Sequence, residues 1–178
     1  MKQFFGNTFW QAIAVTAILY GLALLSYGNE ISGALLFGVT VGAMILSFVW
    51  LERGLMLVFI ELFSNPHGML LSTDVVGFTV SLRMALFAGV MAGWFIGFVT
   101  KRYQPSFKDG RAQIFVLLGL ATALGLIIGV LERNPLLVFG DGNAYLFLLY
   151  LLPILSVHWN AKLKGELLQV LAAGAVRI

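Results

Sequence analysis

The chain has 178 residues, of which 60% are hydrophobic and only 11% charged, and its mean hydropathy is +0.96. A soluble domain carries about 25% charged residues, and a chain this short has too much surface for its volume to hide so many apolar side chains from water. The net charge of +3 does not point to nucleic acid, because the basic residues lie between apolar runs and form no basic face; the lack of cysteine excludes disulfides, thiolate chemistry and Cys-ligated metals.

A bilayer accepts this composition, but its core offers the backbone no water, so only helices and closed barrels satisfy every amide there. The apolar runs are continuous and do not alternate, which predicts helices. The expected fold is all-α, a polytopic transmembrane helix bundle filling residues 1–178 as a single transmembrane domain.

In chain order, Met1-Lys2-Gln3 precedes an apolar run without a small-x-small cleavage site, as in an uncleaved signal anchor. The first span is expected from Thr8 to Ser26 and the second from Ile31 to Trp50, joined by the polar turn Tyr27-Gly28-Asn29-Glu30. Leu51 to Phe63 is apolar but carries Glu52, Arg53 and Glu61, and is shorter than the roughly 20 residues of an ideal span. It reads as a short or tilted third span, or else as an interfacial helix or a continuation of the second. Ser64-Asn65-Pro66-His67-Gly68 stops it with turn chemistry.

After a connector from Met69 to Gly77, a fourth span runs from about Phe78 to Thr100. The hydrophilic segment Lys101 to Arg111 follows, then a fifth span from Gln113 to Leu131, closed by Glu132-Arg133-Asn134-Pro135. A loop through Gly140-Asp141-Gly142-Asn143 leads into a sixth span, Ala144 to Val157, and His158 to Lys164 reads as a polar connector. The last apolar stretch, Leu167 to Ile178, is too short to cross a bilayer. Six spans plus a truncated seventh are therefore expected. The truncation suggests either a packed half-helix or a fragment of a longer polytopic protein.

With six alternating spans, Lys2, Arg53, Lys101, Arg102, Lys108, Arg111, Lys162 and Lys164 fall on one side, and only Arg133 on the other. The positive-inside rule then puts the N-terminus and the 101–111 loop in the cytoplasm. Trp10, Tyr27, Trp50, Tyr103 and Trp159 lie near span ends, where interfacial aromatics belong. Gly38 and Gly42, Gly89, Gly93 and Gly97, and Gly125 and Gly129 fall at helical spacing. Such small faces let helices approach closely, within the chain or across an oligomer seam.

No phosphate-cradling loop, dinucleotide fingerprint, zinc-protease helix or nucleophile elbow is present, so no catalytic residue, metal site or cofactor is assigned. His67 and His158 fall on opposite faces and would not share a metal. The chemistry rests on charges at membrane depth. Arg83 falls about a turn and a half into the fourth span, near the outer surface, where a charge needs a partner or a water-filled cavity. Glu61 and Asp141 are its candidate partners. Arg83 would bind an anionic group such as a lipid pyrophosphate, because its planar fork matches phosphate oxygens. It would otherwise snorkel to headgroups or form a structural ion pair. His67 would act as a base or bind phosphate, or is merely exposed; Asp141 or Asn143 would alternatively cap the sixth helix.

Three of these segments resemble the front half of the O-antigen ligase and polymerase family of membrane proteins, over about Leu55 to Pro153. They are Glu61-Leu62-Phe63 with His67-Gly68, then Val80-Ser81-Leu82-Arg83, and Asp141-Gly142-Asn143-Ala144-Tyr145-Leu146-Phe147. The resemblance implies part of a glycan ligase or polymerase, acting on polyprenyl-linked sugars at the outer face of a bacterial inner membrane. Arg83, Asp141, Glu61 and His67 would line the glycan-lipid cavity. The family's catalytic basic residues lie in a large outward loop of its back half, which this chain lacks. The alternatives are a small non-enzymatic subunit packed with partners inside a membrane complex, and a transporter piece whose pathway Arg83 and Glu61 line.

Overall fold

The computed structural model describes residues 5–27, 31–65, 70–75, 78–107, 110–132, 138 and 147–176. Among them are seven α-helices and one two-stranded hairpin. They form two compact units, residues 1–100 with 158–178, and residues 101–157.

The first unit begins with α1, Asn7–Ser26, and α2, Ser32–Val49. Trp50 then leaves the helical region, with φ −139° and ψ 87°, and the chain folds back into α3, Leu51–Ser64. The reversal is tight because Gly54 lies directly against Ser47 of α2. α3 is thus a separate helix and not a continuation of α2. At 14 residues it falls short of a full crossing.

Strands β1, Ser72–Val75, and β2, Phe78–Ser81, pair antiparallel with Thr73 opposite Val80 and Asp74 opposite Thr79. This hairpin departs from the all-α expectation and shortens the expected fourth span. Its helix, α4, runs Leu82–Val99. Ser81 caps it by accepting from the Met84 amide at 3.4 Å. Phe78, Thr79 and Val80 are β-branched or aromatic and suit a strand as well as a span. The last helix of the unit, α7, is Ala161–Ala175, capped by the Asn160 side chain at 2.8 Å from the Leu163 amide. The expected polar connector therefore contributes its own second half, Ala161 to Lys164, to a helix.

Helix directions follow from which residues meet. Arg53 meets Glu166 near the starts of α3 and α7, and Phe63 meets Gly174 near their ends, so the two run parallel. Phe9 meets Gln169 and Thr16 meets Ser64, so α1 runs with them. Gly89 of α4 lies against Thr40 and Ala43 of α2, and Gly93 against Met44 and Ser47, so α2 and α4 run together the other way. Glycine at 89 and 93 lets backbone touch backbone there. Gly38 and Gly42 do not share this role: their space is open. The core of α1, α3 and α7 is Phe9, Ala12, Met56, Ile60, Val170 and Ala173.

The second unit contains α5, Gly110–Glu132, a 3-10 turn at Phe147–Tyr150, and α6, Leu151–Ser156. Pro153 has no amide to extend the ladder backward, and the helix type changes next to it. The Ser106 amide donates to the Leu155 carbonyl at 3.1 Å. Phe115, Gly119, Ala123, Leu126, Leu148 and Leu152 line an apolar cleft of about 320 Å³. Within α5, the membrane-length stretch Gln113–Glu132 buries none of its side chains.

Among the described residues, four helices, α1, α2, α4 and α5, are long and apolar enough to cross a membrane. Their exposed surface includes Trp10, Leu24, Phe37, Phe95, Leu117 and Leu131, which lipid solvates and water does not.

Candidate functional site

The polar side chains of the first unit gather where α3 ends and α4 begins. Glu61 is fully buried on the last turn of α3. Its Oε2 accepts from Arg83 Nε at 3.0 Å, and its Oε1 accepts from Arg83 Nη2 at 3.4 Å and from Asn65 Nδ2 at 3.2 Å. Arg83 Nη2 also donates to the Asn65 carbonyl at 2.6 Å.

Each contact answers a local need. The last carbonyls of α3 have no partner within the helix and carry partial negative charge, and the Arg83 guanidinium satisfies one of them. The first turn of α4 is the positive end of its helix, where a cation is disfavoured; Glu61 supplies the compensating anion. The carboxylate, buried away from water, is fully hydrogen-bonded, as a buried charge must be. Arg83 stands at the second position of α4, not a turn and a half in, because the hairpin takes Phe78–Ser81.

The same end of α3 is tied to α1. The hydroxyls of Thr16 and Ser64 lie 3.0 Å apart, and Tyr20 donates to the Ser64 carbonyl at 3.3 Å. Asn65, Thr16, Tyr20 and Ser64 were not singled out from the sequence. Ser64-Asn65 reads only as a helix stop, and a mid-span threonine gives no signal of a partner on another helix.

Of the four candidate residues, the structure brings Glu61 and Arg83 into one ion pair. His67 and Asp141 lie outside the described residues. The Nε–Nη2 edge of Arg83 faces Glu61, so the fork that would grip a phosphate is engaged by a carboxylate. The Arg83 side chain keeps 21% of its surface exposed. Chemically, the arrangement is a neutral clasp that ties the end of α3 to the start of α4. It offers no activated nucleophile.

At the opposite end of the unit, Arg53 Nη1 lies 3.0 Å from Glu166 Oε2, with side chains 42% and 12% exposed. Among the described residues, no three histidine, aspartate or glutamate side chains cluster as a metal site would need. No family model, curated protein or solved structure matches this chain.

Proposed function

We propose that this chain is a polytopic membrane protein forming part of a glycan ligase or polymerase that acts on polyprenyl-linked sugars at the outer face of a bacterial inner membrane. The observation that carries the reading is the Glu61–Arg83 pair. It joins two of the three segments on which the family resemblance rests, Glu61-Leu62-Phe63 and Val80-Ser81-Leu82-Arg83. In this reading Arg83 is a positioning residue that holds the outer ends of α3 and α4 beside the glycan-lipid cavity.

The orientation follows from charge. Arg53, Lys162 and Lys164 stand at the start of α3 and α7, and Arg83 at the other end of the unit. The positive-inside rule puts the first end in the cytoplasm, and with it the N-terminal end of α1. α4 leaves the unit at that end and α7 re-enters there. In this reading the 14-residue α3 counts as a short, tilted crossing, which keeps six spans before α7.

The test must separate a lost clasp from a lost fold. Replacing the pair by apolar residues of similar volume, Arg83→Met with Glu61→Met, removes both charges without orphaning either. In cells whose glycan assembly depends on this protein, the double variant at normal abundance is expected to lose polymer or ligated product. Normal product would end the reading.

A second reading has its own observation. The membrane-length stretch of α5 buries no side chain, as expected of a helix that packs on another protein in a non-enzymatic membrane subunit. Purification in mild detergent with a stoichiometric partner, and no glycan defect on deletion, would favour it.

A further inference from the structure

A slot of about 150 Å³ lies among α1, α2, α3 and α7, and one end of it opens at Arg53, at the end of the first unit opposite Arg83. Thr8, Gln11 and Arg53 line one end of it; the rest is apolar and includes Val15, Leu57 and Ile60 together with the core residues Met56 and Val170. Because α1 and α3 run parallel, their polar residues collect at one level and their apolar residues follow along the helix direction. The slot therefore has a short polar end on a long apolar body, as a membrane lipid does.

Arg53 is the one charged residue among the described residues lining it. Its guanidinium touches Glu166 without satisfying it: Oε2 is buried and accepts no hydrogen bond, although Nη1 is 3.0 Å away. The pair is thus a charge contact whose N–H donors point elsewhere, and 42% of the Arg53 side chain is exposed. Among the described residues of the first unit, Arg53, Lys162 and Lys164 outnumber Glu52 and Glu166 at this end. Trp10 and Trp50, 64% and 57% exposed, stand at the same end, at the level where aromatic side chains meet lipid headgroups.

Resting on the reading of α1 and α2 as membrane spans, we propose that this slot seats one anionic phospholipid of the cytoplasmic leaflet. Its phosphate sits on Arg53, Gln11 and Thr8, and an acyl chain lies along Val15, Leu57 and Ile60. A free phosphate would meet only half the slot, since the apolar part offers it no partner. A zwitterionic lipid offers Arg53 the same phosphodiester but brings a quaternary cation to an end that is already positive, so it is held less well. An arginine fork with open N–H groups suits a phosphodiester.

The test is native mass spectrometry of the protein released from micelles doped with equal phosphatidylglycerol and phosphatidylcholine. One phosphatidylglycerol should be retained in preference by about fivefold, since the two lipids share the phosphodiester and differ by one screened headgroup charge. Arg53→Gln with Glu166→Gln should abolish the preference with helical content unchanged. Glu166→Gln alone frees Arg53 and should raise the preference about threefold, since it removes the one anion in contact with the guanidinium. Lys162→Gln with Lys164→Gln should leave most of it. Three results overturn the proposal: a preference that survives the Arg53 and Glu166 double variant, one lost entirely in the lysine variant, or displacement of the lipid by glycerol phosphate without acyl chains. Release of the protein from membranes by alkaline carbonate would instead overturn the spanning reading, and this proposal with it.

Discussion

Two arginine–glutamate pairs join helices of the first unit, one at each end, and they are built differently. Glu61 is wholly buried and accepts three hydrogen bonds, two from Arg83 and one from Asn65. Glu166 touches Arg53 at 3.0 Å with an oxygen that accepts none. Both arginines stand in the first turn of a helix, where a cation is disfavoured, but Arg83 also closes the C-terminus of α3, where a cation is favoured. Charge and distance are alike in the two pairs. The hydrogen bonds and the helix ends around them set one as a clasp and leave the other with donors to offer.

Removing a partner from the buried pair has the largest expected effect. Arg83→Ala leaves the Glu61 carboxylate buried without its cation, which costs about 3–5 kcal/mol. Chemical unfolding in micelles, followed by circular dichroism, measures it. The double replacement of Arg83 and Glu61 by methionine should recover most of that loss. Equal losses in the single and double variants would mean that packing, and not the uncompensated charge, sets the cost.

Next comes the close approach that holds α4 in place to receive Glu61. A Cβ on residue 93 would run into the Met44 carbonyl and the Ser47 side chain. Gly93→Ala is therefore expected to cost about 1–3 kcal/mol by forcing α2 and α4 apart. Gly42→Ala, where the space is open, is the control and should be near neutral. Both are read in the same unfolding experiment.

The helical bundle was legible in the sequence because lipid-facing helices are apolar all round, and composition alone shows that. Trp50 as a boundary was also legible, since charges at Glu52 and Arg53 interrupt the apolar run. The hairpin was not: Phe78–Ser81 is short, apolar and continuous with α4, so hydropathy merges it with the helix. Its one clue was Ser81, a good N-cap three residues before an amide that it accepts from. The start of α7 was hidden in the same way, because Lys162 and Lys164 suggest a loop while Asn160 caps a helix. At the site, Glu61 was foreseen as a partner for Arg83. The role of the Asn65 carbonyl was not, since only the fold brings a helix C-terminus within reach of that guanidinium.

The half-exposed pair should respond less. Arg53→Ala breaks a contact whose arginine is 42% exposed, so solvent screening holds the loss to about 1–2 kcal/mol even though the Glu166 Oε2 left behind is buried. A loss as large as that of Arg83→Ala would show that the two ends are equivalent after all, and that the unaligned geometry at Glu166 carries no energetic meaning.

The smallest expected effect asks whether the clasp end is firm only because of its ion pair. Thr16→Val keeps the shape of the side chain on α1 and removes the hydroxyl that lies 3.0 Å from Ser64. A hydrogen bond between membrane helices contributes on the order of 0.6 kcal/mol, and the Ser64 hydroxyl has other backbone acceptors nearby on its own helix. The expected loss is therefore about 0.5 kcal/mol in the wild-type background. In the Arg83→Met and Glu61→Met background it should be the same within error if α1 and α4 grip α3 independently. A loss that doubles there would mean that Thr16, Ser64, Glu61 and Arg83 act as one polar network, and the contrast between the two ends would then lie in the number of helices joined, not in the pair itself.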